Sequence, residues 1–188
     1  MTAKRSTKLT LDEIKSELAE VARVGQMFIE GDACRNVYTP ESQTFMRGDD
    51  LNYDAEVTVP IKKHLFRLER LSRVPCSATL WRQRPDVPES GEALLFGMHG
   101  SPEGASKPAN RGYEPPEMTR ELKRVFLEEK TAWKTRRNNP RARQLIERGC
   151  SQPAKEVDGN MTIQYFVPIM DSMGEVAAAL EVFTVATG

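Results

Sequence analysis

An excess of charge of either sign is the first thing this sequence lacks. Its 27 lysines and arginines are matched by 27 aspartates and glutamates, so no overall field draws the chain to nucleic acid or to an anionic bilayer. Such a partner would have to use a local patch. Also missing is any uninterrupted apolar run of the roughly 18–20 residues that a membrane helix requires. The opening MTAKRSTKLT has basic residues but not the apolar stretch of a secretory signal. The expectation is a cytoplasmic protein with no membrane partner. Cysteine is scarce and unpatterned: Cys34, Cys76 and Cys150 form no CxxC and are odd in number, which argues against a disulfide framework or a structural zinc. Three reduced thiols are expected. Neither GxxxxGK[ST] nor GxGxxG occurs, no nucleophile elbow or cysteine-protease signature is present, and no internal repeat is visible.

What is present is an ordinary folding composition, 39% hydrophobic and 29% charged over 188 residues. A chain of this length buries roughly two-thirds of its unfolded surface, so residues 1–188 are read as one domain: an N-terminal helix over 9–31 and an α+β body over 57–188. Thr10 and Glu13 form a capping box, and Leu11, Ile14, Leu18, Val21, Gly25 and Phe28 follow at alternating spacings of three and four. That narrow seam suits either a second copy of the helix, making a homodimer, or the chain's own sheet. GDACRNVYTPESQTFMRGDDLNYD reads as an extended, acidic connection with one short helix at most. A second helix is expected after Pro60, with Ile61, Leu65, Leu68 and Leu71 on one face and Pro75 as its stop.

CSATLWR and ALLFGMH have the composition of an antiparallel strand pair. The Gly/Pro/Ser-rich stretch over 100–116 that follows is too long for an ordinary connector and reads as a flap or binding loop. Pro116 and Glu117 open a third helix carrying Met118, Leu122, Val125, Phe126 and Trp133 on one face, with a basic last turn. Asn139 and Pro140 start a short fourth helix that Gly149 ends. MTIQYFVPIM and EVAAALEVFTV are two central strands joined by the tight turn DSMG. The class is α+β: an antiparallel sheet with helices on one face, preceded by a long amphipathic helix.

The segment YFVPIMDSMGEVAAALEVFT, with Pro168, Asp171 and Gly174 as its turn pattern, resembles the closing hairpin of PAS-like sensor domains, especially the Cache type. The resemblance implies a small-molecule pocket between the sheet and its covering helices, and a signalling role. Cache domains are usually flanked by membrane helices, and no such run occurs here. A haem-bearing group of the same layout attaches haem through CxxCH, which is absent, so covalent c-type haem is not expected.

Such a pocket needs an apolar lining with a few converging polar groups. Trp81, Phe96, Tyr165 and Phe166 are the aromatic strand residues that could line it, and equally could be plain core. Arg82 and Gln164 are polar residues inside apolar strands, and a buried polar group costs about 1–3 kcal/mol without a hydrogen bond. His99 ends a strand beside the long loop, and His64 lies on the apolar side of its helix. Either is a candidate ligand for non-covalent haem or a metal, against the commoner reading of a histidine satisfied by a backbone carbonyl. No cofactor is identified.

The sequence therefore predicts a non-catalytic sensor domain that binds a small-molecule ligand. A small enzyme, using a cysteine or histidine with the 100–116 loop as a lid, is the second reading. The third is an interaction module acting through the basic segment 134–148, where Lys134, Arg136, Arg137, Arg141, Arg143 and Arg148 cluster. A solvated face is the simpler account of that cluster, and nucleic acid is not the expected partner.

Overall fold

The computed structural model describes residues 8–37, 55–83, 91–97 and 118–188. Helix α1 (Leu11–Phe28) begins on its capping box: the Glu13 N–H donates to Thr10 Oγ1 at 3.2 Å, and the Thr10 N–H donates to Glu13 Oε2 at 2.7 Å. Ile14, Leu18, Val21, Ala22 and Gly25 are its buried residues. At Gly25 the helix comes so close to the sheet that a Cβ there would collide with Leu180, with Leu68 at 3.1 Å. Most of the seam therefore packs on the chain's own sheet and is not free to meet a second copy.

Helix α2 (Gly31–Arg35) is a short helix at the start of the segment read as an extended connection, of which residues 38–54 lie outside the described residues. Helix α3 (Ala55–Leu71) starts before Pro60, which lies inside it and not at its first turn. Ile61, Leu65 and Leu68 are buried as the periodicity predicts, while Leu71, in the last position, is exposed. Strands β1 (Ser77–Gln83) and β2 (Gly91–Phe96) pair antiparallel as expected.

The long third helix is the clearest departure. Helix α4 (Arg120–Glu128), capped by the Thr119 hydroxyl, is ended by Glu129 in the left-handed conformation at φ 56°. The chain then enters a strand, β3 (Ala132–Arg137), along the edge of the C-terminal hairpin. Trp133 thus belongs to β3, stacked on Tyr165 at 4.1 Å, and not to a helix face. Helix α5 (Pro140–Glu147) follows, with Gly149 at φ 76°, and β4 (Ser151–Pro153) is an additional short strand. β5 (Asn160–Met170) and β6 (Val176–Thr187) complete the chain as the predicted central hairpin.

The sheet runs β2-β1-β6-β5-β3, antiparallel throughout, with β4 added in parallel to the end of β6. Strand alternation sorts its side chains into two faces. On the first face Ala78, Leu80, Ile163, Val167, Leu180 and Val182 share one continuous core with α1, α2 and α3. On the second, Trp81, Phe166 and Ala179 pack with Leu122 and Val125 of α4, while Phe183 and Val185 pack separately with Ala142 and Leu145 of α5. The α+β class, the antiparallel sheet and the leading helix match the sequence reading. The helices, however, divide between both faces: α4 and α5 pack on the face opposite α1.

The turn pattern that carries the sensor resemblance has a local cause. Asp171 Oδ1 accepts the Met173 and Glu175 N–H groups, each at 2.9 Å, and Gly174 adopts φ 81°. Asp171 Oδ2 accepts Arg35 Nε at 2.6 Å, so the same carboxylate ties α2 to the hairpin.

Candidate ligand-binding site

Between the two apolar clusters of the second face lies a polar strip. Its centre is Glu181, the charged residue in the buried run of β6, 1% exposed. The Trp81 indole Nε1–H donates to Glu181 Oε2 at 2.7 Å, and Gln164 Nε2 donates to Oε1 at 2.6 Å. Thr79 is the register partner of Glu181 on β1, and Ser77 lies one repeat along the same face. Both are fully buried, and neither hydroxyl has a hydrogen-bond partner. Lys134 is the register partner of Gln164 on β3, but its ammonium goes to Glu121 of α4 at 3.2 Å.

Of the residues predicted to line a pocket, Trp81, Gln164 and Phe166 therefore share this face, and the first two meet at one carboxylate. Tyr165 alternates to the first face, where it packs at the edge of the main core. Arg82 also points away from the strip, donating to the Val37 carbonyl at 2.7 Å. Phe96 is the register partner of Thr79; its side chain, His99 and the 100–116 loop lie outside the described residues. His64 stacks on Phe28 with ring centroids 6.3 Å apart. Among the described residues no three histidine, cysteine, aspartate or glutamate side chains gather to hold a metal ion.

Glu181, Ser77 and Thr79 are the residues that sequence reasoning missed. The criterion applied to Gln164, a polar residue inside an apolar strand, applies equally to the glutamate in VAAALEVFTV. The hydroxyls had no such signal, since serine and threonine are unremarkable in β1.

Two other polar features are accounted for structurally. Glu69, 7% exposed, accepts the Ala78 N–H at 2.9 Å, and Gly97 passes so close to that carboxylate that no Cβ would fit. A cleft of about 500 Å³ opens at the start of α1, bordered by Glu13, Ser16, Glu17 and Arg73. Its carboxylates are already engaged: Glu13 caps α1, and Glu17 accepts the Arg73 N–H at 2.7 Å. This cleft is not the space beneath the sheet that the resemblance implies.

The three cysteines are free and buried. Burial pushes the Cys34 and Cys76 thiols up to about 12, with Glu69 and Glu17 adding to the effect at Cys76, and it raises Cys150 as well. Those are the properties of core residues; an activated nucleophile has its thiol pKa lowered.

The basic segment is divided between β3 and α5. Arg136, Arg137 and Arg143 are exposed, Lys134 pairs with Glu121, and Arg143 pairs with Glu147 at 3.2 Å. Charges along an edge strand discourage pairing with another chain, which gives the β3 residues a structural purpose. Among the described residues no helix is long and apolar enough to cross a membrane.

Comparison of the chain with protein-family models finds no match, and comparison with curated protein sequences finds none.

Proposed function

We propose that this chain is a small-molecule-binding sensor domain, without catalytic machinery of its own, that takes its ligand on the second face of the sheet between α4 and α5. The observation that carries this reading is the polar strip itself. A buried carboxylate, an amide and an indole N–H converge there, and two buried hydroxyls beside them lack partners. Folding gains nothing from an unpartnered buried hydroxyl, whose desolvation costs about 1–3 kcal/mol. A ligand supplying the missing partners would recover that free energy and gain orientation in return.

β5 and β6 connect this site to α1. Glu181 and Gln164 alternate with Leu180, Val182 and Tyr165, which belong to the core under α1, and Gln26 of α1 donates to the Pro168 carbonyl at 2.9 Å. A ligand favouring one packing of these strands would therefore shift the population of α1 positions. Homodimerisation through the α1 seam is not part of the proposal, because Ile14, Leu18, Val21 and Gly25 of that seam are buried within the chain. The cytoplasmic setting is retained, supported by three buried free cysteines.

A thermal-shift screen of small acids, amino acids, purines and haem, followed by hydrogen exchange on each hit, tests the reading. A ligand that binds only the folded state raises stability by about 2.7 kcal/mol at a hundredfold excess over Kd. The expected hit slows exchange at 79–81 and 164–166. Absence of any stabilising compound, or protection confined to the first face, would remove the support for this site.

A further inference from the structure

We infer that the ligand of the second face carries an ammonium or amidinium group, and that Glu181 is the residue that recognises it. The inference rests on the small-molecule reading above and names its ligand class. Glu181 is 1% exposed, yet both of its hydrogen bonds come from uncharged donors, the Trp81 indole and the Gln164 amide. An ionised carboxylate held away from water is expensive unless a cation answers it. Among the described residues no cation does: Lys134 is paired with Glu121, and Arg82 on β1 donates to Val37. Two N–H donors also leave about half of the carboxylate's acceptor positions unused. The Ser77 and Thr79 hydroxyls on the same face can each donate or accept, which suits a ligand with a polar group next to its cationic one.

The neighbouring clusters limit the rest of the ligand. Trp81, Phe166, Leu122 and Val125 belong to one apolar cluster of this face, and Phe183, Val185 and Leu145 belong to the other. The group expected between them is a small cation with a short apolar or polar body. A large polyanion such as a nucleic acid does not fit this charge pattern.

The test uses the full chain and its Glu181→Gln variant. Glutamine preserves the shape, and because the Gln164 amide can turn over, the pair can remain hydrogen-bonded. Both proteins are screened by thermal shift and isothermal calorimetry against free amino acids, aliphatic diamines and aromatic amines, with the N-acetylated form of each as a matched neutral control. The unliganded variant should melt within a few degrees of the parent. At least one amine should bind the parent and slow exchange at 79–81 and 164–166. Its affinity should fall roughly tenfold to a hundredfold in Glu181→Gln, the loss of a charge-assisted hydrogen bond, and similarly on N-acetylation. Equal binding of the acetylated controls at these amides, or equal amine affinity in the variant, would overturn the cationic ligand class while leaving the site itself intact. Failure of every compound, amine or acetylated, to protect this face would overturn both. If the unliganded variant unfolds, the parent alone decides through the matched pairs: a clear preference for an amine over its N-acetylated form, with slowed exchange at 79–81 and 164–166, upholds the cationic class, and equal binding of the two overturns it.

Discussion

The two faces of the sheet solve different problems with the same strands. On the first, α1, α2 and α3 cover an unbroken apolar surface, and Ile14, Leu18, Leu65, Leu80 and Leu180 are fully buried. On the second, α4 and α5 cover two smaller clusters that do not merge, because Glu181, Gln164, Thr79 and Ser77 interrupt them. The difference teaches where burial is continuous and where it is interrupted. Continuous burial contributes about 1.5–3 kcal/mol for each large side chain removed from water. A strip of polar groups with unfilled hydrogen-bonding capacity forgoes part of that gain, a loss that the proposed ligand would offset.

The largest expected effect tests the first face. Leu18→Ala should destabilise the fold by about 2–5 kcal/mol, read from chemical denaturation, because it opens a cavity in the tightest part of the core. A change below about 1 kcal/mol would show that α1 is not integral to that core. On the second face, Trp81→Phe removes one donor from a buried carboxylate and should cost about 1.5–3 kcal/mol. An unchanged midpoint would mean that Glu181 finds another partner without difficulty.

A pair of threonines sharpens the contrast within the second face. Thr162 donates to the Arg136 carbonyl at 3.2 Å and accepts from Asn139 at 3.3 Å, so Thr162→Val should cost about 1 kcal/mol. Thr79→Val removes a hydroxyl that has no partner and should be neutral or stabilising by up to about 1 kcal/mol. Equal losses at the two positions would remove the argument that Thr79 awaits a ligand.

The smallest effect lies outside both faces, at the hairpin tip. Backbone hydrogen bonds, that from Glu175 foremost, together with the Arg35 guanidinium, hold the Asp171 carboxyl below the usual carboxylate range. Since the folded-state pKa is the lower one, the stabilisation is complete above the unfolded-state pKa and fades as pH falls through the folded one. Asp171→Asn should therefore reduce the slope of stability against pH in the acid range. Superimposable acid profiles for parent and variant would contradict the assignment.

Local signals were legible in the sequence, and signals set by distant partners were not. The Thr10–Glu13 capping box, the Asp171–Gly174 turn and the two apolar strands beside it depend on neighbours in the chain, and all appear as read. The sequence puts Trp133 on a helix face and the structure puts it in β3, because AWKTRR has no decisive local preference. Its conformation is set by the open edge of β5 and by a left-handed Glu129 that no residue type announces. The division of helices between two faces depends on which apolar side of the sheet each helix meets, which periodicity does not report. Glu181 was visible as a lone charge in an apolar strand; only the register that brings Trp81, Gln164 and Thr79 to it makes it the centre of a site.

The central claim, that the polar strip is a ligand floor, is tested most directly by native mass spectrometry of the chain purified from its own host beside its Glu181→Gln variant. The account predicts that the parent retains a small molecule of defined mass, released on denaturation, and that the variant carries it at much lower occupancy. A parent that shows only its own mass, or an adduct held equally by the variant, would contradict it.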